Sequence, residues 1–145
     1  MPKDKIDTQV TLTVDTLNIN QSNRNDCVTF SDNRNDPAEH PGHPKDYVST
    51  VDKGKNITWS GTPDPKSSLP ADSVQIIYVL KKPGTSGGAD ILQNDYNPGD
   101  GVTVQAKIKD KDQTTNESYY IVFTVNNLTE NPYIIDPQLK MASST

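Results

Sequence analysis

A single cysteine, Cys27, two histidines, His40 and His43, and two methionines are all that 145 residues offer toward thiol or soft-metal chemistry. One cysteine cannot build an internal disulfide framework, and it suits a reducing cytoplasm. Hydrophobic residues make up only 31% of the chain and aromatics 6%. Ordinary globular chains carry roughly 45–50% apolar residues, glycine included, so the core here must be thin and depend on ordered alternation. No uninterrupted apolar run exceeds five residues, as in Ile76 to Leu80, and the opening MPKDKIDTQV has no apolar stretch behind its positive charges. Neither a membrane span nor a cleaved export signal is expected, and the localisation read from these features is cytoplasmic. A basic excess is missing too: 14 Lys and Arg stand against 19 Asp and Glu, interspersed, for a net charge of −5. With no basic stripe to neutralise phosphates, nucleic acid is not an expected partner.

What is present is alternation with period two, and no segment keeps helical spacing for three turns. The length suits one domain, 1–145. Val10, Leu12 and Val14 share a face, but Leu17 and Ile19 follow out of phase, which predicts a bulge or a sheet crossing near Asp15 and Thr16. Val28 and Phe30 give a short strand. A long surface loop then runs over 31–46 with no periodicity. Tyr47 to Val51, a turn at Asp52-Lys53-Gly54-Lys55, and Ile57 with Trp59 come next, and 61–73 reads as a proline-rich loop.

The stretch SVQIIYVL, apolar on both faces, belongs at the centre of a sheet and is broken by Pro83-Gly84 and Gly87-Gly88. Val102, Val104, Ala106 and Ile108 alternate with polar residues, as do Tyr119, Ile121, Phe123 and Val125, so the two predict an antiparallel hairpin with a long tip. The last strand, Tyr133 to Met141, is interrupted at Asp136-Pro137 and is placed at an edge or a bulge, since proline cannot donate to a ladder. Residues 142–145 read as a frayed tail. The fold class expected is all-β, an immunoglobulin-like or cupredoxin-like antiparallel β-sandwich of about eight strands. Trp59, Ile77 and Phe123 are its expected core anchors.

Catalytic motifs are missing: there is no Gly-x-Ser-x-Gly, no phosphate-cradling glycine loop and no His-Glu-x-x-His. The chain is therefore read as non-enzymatic. A copper site of the cupredoxin kind needs Cys, His and Met close together on a C-terminal loop, whereas Cys27 precedes both histidines and Met141 is remote. His40 and His43 could hold zinc with nearby carboxylates, but Pro41, Gly42 and Pro44 also explain the segment as a stiff exposed loop. In DYNPGDG, Asp95, Asn97 and Asp100 present oxygens in the manner of a calcium loop, although Asx-turns use the same residues and the closing bidentate glutamate is missing. No cofactor is required by the sequence, with calcium or zinc the ones its side chains would suit.

Four landmarks carry a resemblance. VTLTVDTLNI at 10–19, VDKGKNITWSG at 51–61, SVQIIYVL at 73–80 and the closing YIIDPQLKM at 133–141 follow one another as strand-and-turn units. In order and spacing they resemble the AidA/PixA family of bacterial inclusion-body proteins. The chain departs from that family in being shorter, poorer in C-terminal aromatics and poor in methionine, which weakens a storage role based on methionine. The resemblance implies a cytoplasmic β-sandwich without known enzymatic chemistry, able to self-associate, and it transfers no catalytic residue.

The expected function is accordingly self-association into oligomers, filaments or inclusions, with the protein itself as partner. The expected contacts are the N-terminal strand at Val10 and Leu12 and the final strand at Tyr133 and Ile135, because open sheet edges can template pairing with another copy. Two other readings compete: a carbohydrate- or calcium-binding module using loops at the sandwich ends, and a structural subunit of a phage or secretion apparatus.

Overall fold

Ten strands and no helix make up the described part of the chain, residues 5–34, 47–82 and 90–142 of a computed structural model. They are β1 (Thr8–Val14), β2 (Val28–Asp32), β3 (Val48–Val51), β4 (Asn56–Pro63), β5 (Val74–Lys81), β6 (Tyr96–Pro98), β7 (Val104–Lys107), β8 (Glu117–Val125), β9 (Tyr133–Ile135) and β10 (Gln138–Met141). One sheet has the order β2-β1-β4-β7; the other runs β3-β10-β8-β5-β6, with β9 also paired to β8. The inward residues of the two sheets meet in a single core.

Alternation explains which residues reach that core. Val10, Leu12 and Val14 of β1, Ile57 and Trp59 of β4, and Tyr119, Ile121 and Phe123 of β8 are all fully buried. Trp59 links the layers by more than contact. Its indole Nε1 donates to the Tyr119 hydroxyl at 3.1 Å across the sandwich, and the two rings lie 5.5 Å apart. A buried indole N–H without an acceptor would cost free energy, so this pairing selects how β4 faces β8.

Several expectations change. The sheets are mixed rather than purely antiparallel, because β1 runs parallel to β4 and β10 runs parallel to β3. Ten strands replace eight, since proline at 137 divides the last one into β9 and β10, and Tyr96–Pro98 adds a short strand. The strands at 104–107 and 117–125 are not a hairpin: β7 pairs with β4 and β8 with β5, in different sheets. Their matching alternation arises because each turns its apolar side to the same core from opposite layers. No bulge lies at Asp15 and Thr16. Instead β1 ends at Val14 and the chain turns, with the Asp15 carboxylate accepting the Asn18 amide at 3.1 Å.

The bulge lies in β5. Register shifts between Ile76 and Tyr78, leaving Ile77 half-buried and outside the core cluster, so the expected anchor role passes to its neighbour Ile76. Trp59 and Phe123 sit fully within the core.

The proline-rich segment after Gly61 also enters the sheet earlier than its composition predicts, for β4 pairs with β1 out to Pro63. Gly61 permits this, because a Cβ there would lie 2.3 Å from Val74 Cγ1 and 2.9 Å from Val74 Cβ on the facing sheet. Gly61→Ala is therefore expected to destabilise the fold by about 1–3 kcal/mol through overpacking, read as a lower urea midpoint at unchanged slope. An unchanged midpoint would show that β4 and β5 can separate freely at this point.

Candidate functional site

His40 and His43 lie outside the described residues. The three calcium-loop residues are described, and hydrogen bonds within the fold engage each of them. Asn97 is buried on β6, and its side-chain amide donates to the carbonyls of Val79 and Asn94 at 3.3 and 3.1 Å. Asp100 closes an Asx-turn by accepting the amides of Val102 and Thr103 at 2.9 and 2.8 Å, and those bonds hold its carboxyl below the usual range. Asp95 contributes a backbone carbonyl to Lys81 N at 2.9 Å. Turn formation thus accounts for the pattern that suggested calcium. Among the described residues no group of three His, Cys, Asp or Glu side chains is placed to hold a metal ion. Cys27 is buried and its thiol is pushed up by that burial, so it is a poor nucleophile.

Among the described residues, the densest charged constellation is one that sequence spacing does not show. Lys81, at the end of β5, reaches Asp90 and lies 3.6 Å from Glu117, the first residue of β8; Asp90 also pairs with Lys109. Glu117 is almost fully buried and accepts the backbone amides of Ile91 at 2.8 Å and Leu92 at 3.2 Å. Lys81 Nζ in turn donates to the Leu92 carbonyl at 2.9 Å. These bonds fasten segment 90–93 beside β7, where Gln93 N donates to Lys107 O and Lys109 N to Ile91 O, both at 2.9 Å.

A polar hollow of about 360 Å³ adjoins this cluster, lined by Asp90, Lys109, Lys111 and the 112–115 turn. Each acid in the cluster is neutralised by a lysine or by backbone amides. Chemically the arrangement is a clamp. Burial pushes the Glu117 carboxyl above its ordinary value, against the pull of the Ile91 amide and of Lys81, while Lys109 and Lys81 hold Asp90 below the usual carboxylate range.

A second polar group sits where the edge strands β2 and β3 approach. Tyr47 stacks on Phe30 with centroids 4.0 Å apart, and its hydroxyl is buried beside Ser49 and Asp32. Burial pushes the Tyr47 phenol far up. Close by, Arg34 pairs with Asp52 at 3.0 Å with both side chains largely buried, and Arg34 also donates to Thr8 Oγ1 at 3.3 Å.

The expected assembly contacts are placed differently from the sequence reading. Val10 and Leu12 point into the core, and β1 is an interior strand with β2 on one side and β4 on the other. Tyr133 and Ile135 are core residues too. The outer side of β9 is occupied by side chains, since Arg24 Nε donates to the Ile134 carbonyl at 2.7 Å and Gln21 to the Pro132 carbonyl at 2.9 Å. The strands at the ends of the two sheets are β2, β7, β3 and β6, of five, four, four and three residues. Strands that short offer little template for pairing with another chain.

Two outcomes test this reading. Because the folded protein holds the Glu117 proton more tightly than the unfolded chain, that residue's contribution is complete below its ordinary value of 4.5 and is lost as pH rises through the raised folded value. Glu117→Gln should flatten the corresponding decline in urea midpoint above pH 4.5, and parallel profiles for the two proteins would contradict it. Tyr119→Phe strands the Trp59 N–H and should cost about 1–3 kcal/mol. An unchanged urea midpoint in Tyr119→Phe would contradict the assignment.

No family model matches the sequence, and no curated protein matches it. The fold has a solved counterpart in the crystal structure of an inclusion body protein (PixA) from Burkholderia cenocepacia J2315. That structure is similar with a TM-score of 0.61 and 12% sequence identity, over 97% of this chain and 98% of that one. At so low an identity, what the two share is the architecture of the whole domain, which is also the architecture implied by the strand-and-turn landmarks at 10–19, 51–61, 73–80 and 133–141.

Proposed function

We propose that this chain is a non-enzymatic, cytoplasmic β-sandwich protein whose role is to associate with copies of itself into oligomers, filaments or inclusion bodies. The observation that carries this reading is the end-to-end likeness to an inclusion body protein, 97% of one chain on 98% of the other. The chemistry of the described residues supports it. Among the described residues the Lys81, Asp90, Lys109 and Glu117 cluster fastens segment 90–93, and Asp100 closes its own turn. A protein whose polar groups serve its own fold acts through surface and shape.

Sedimentation velocity and light scattering across a wide concentration range, with and without divalent metal, test the proposal. The weight-average mass should climb with concentration. A mass that stays at the monomer value of 15.9 kDa throughout would overturn it.

A further inference from the structure

The two outer faces of the sandwich differ in kind. On the sheet containing β1, registered neighbours are Thr11 with Ser31 and Ser60, Thr13 with Thr29 and Thr62, and Thr58 with Gln105. That face is a ladder of hydroxyls and amides, well hydrated. On the other sheet one outward row is Tyr96, Leu80, Tyr120 across three strands, and the next is Pro98, Tyr78, Val122, Ile134 across four, each residue directly opposite its neighbour. Residues opposite each other share a face. The alternation of β8 confirms which one, because Ile121 and Phe123 belong to the core cluster and Val122, although only 3% exposed, does not. Its neighbours cover it from outside.

Tyr96 and Ile134, at the two ends of these rows, are 55% and 46% exposed, and the Tyr78 and Tyr96 rings stand 5.6 Å apart. None of the seven side chains carries a charge. At the margin, Lys82 lies 5.4 Å over the Tyr120 ring and 3.3 Å from Asp136, so the rim holds both signs side by side.

We infer that this tyrosine-lined face of the β5–β8 sheet is the surface on which a second copy of the chain docks. The inference rests on the self-association proposed above. Charge argues for that occupant. With a net charge of −5 and 33 charged side chains (14 basic and 19 acidic), two copies repel over most of their surface, and this face is a place where they can meet without like-charge cost. Composition agrees: interface centres are rich in tyrosine and depleted of charge, within a polar rim. In a two-fold contact the rim can set Lys82 of one copy against Asp136 of the other, since each carries both signs.

Size sets the strength. Four strands about 4.8 Å apart and two rows of residues give a patch of roughly 15 Å by 10 Å before side chains spread. That is well short of the roughly 800 Å² per partner of a standard interface, so the patch forms the centre of a weak, concentration-driven contact.

The test pairs Tyr96→Lys with Ile134→Lys in one variant, both at exposed ends of the rows, against a control carrying Thr29→Lys and Ser31→Lys on the hydroxyl face. Far-UV circular dichroism and urea midpoints establish that each folds, and Tyr96→Ser alone serves should the double variant fail to fold. By sedimentation equilibrium the dissociation constant should rise about tenfold or more in the tyrosine-face variant and stay near wild type in the control. Associating wild type with an unaffected tyrosine-face variant, or loss in the control alone, overturns the inference and leaves self-association standing. A monomeric wild type overturns the functional reading itself. A monomeric wild type that binds a β-glucan hexasaccharide, with binding lost on Tyr96→Ser, gives the face to sugar instead.

Discussion

The hydrogen bond from the Trp59 indole to the Tyr119 hydroxyl is the contact on which the layering turns. It joins β4 of one sheet to β8 of the other through the driest part of the core, and each group needs the other, because neither can reach water. Around it the aliphatic residues of both sheets are interchangeable in kind, so hydrophobic burial alone leaves the register of one layer on the other loosely specified. A directional bond removes that freedom. Once β4 and β8 are set face to face, β1 is carried by its parallel pairing to β4, and β5 by its long antiparallel pairing to β8, which places Gly61 directly against Val74.

Much of this was legible in residue order. Period-two alternation gave the strands of the core, the run at 73–80 was read as central and lies between β8 and β6, and Asp136-Pro137 divides the final strand. Pairing was less legible, for a physical reason. Alternation reports only which side of a strand is apolar, so strands facing the same core from opposite sheets carry the same pattern as two neighbours in one sheet. That ambiguity joined 104–108 to 119–125 in the sequence reading, and it hid the parallel pairs β1/β4 and β3/β10. Asp95, Asn97 and Asp100 look like cation ligands because Asx-turns and calcium loops need the same short oxygen-bearing side chains. The Lys81, Asp90, Lys109 and Glu117 clamp left no trace, since its members are scattered among many other charges and only the meeting of β5, β7 and β8 assembles them.

The arrangement of charge and apolar surface then ties fold to function. The clamp holds segment 90–93 as a continuation of the β7 edge, and Arg24 and Gln21 cover the outer side of β9. Short, covered edges protect the molecule from indiscriminate strand pairing, the usual hazard of an open sandwich. What stays available are the two outer faces, apolar on one sheet and hydroxyl-rich on the other. Protected edges and one exposed apolar face fit the proposed contact between folded copies. In the proposed assembly, copies meet as folded units, face to face, through the tyrosine rows.

A cryo-electron microscopy or crystal structure of the assembled protein tests that claim most directly. The account predicts intact sandwiches in contact through Tyr78, Tyr96 and Tyr120, with β2 and β7 unpaired between copies. A continuous intermolecular sheet built through those edge strands, with the tyrosine face left in solvent, would contradict it.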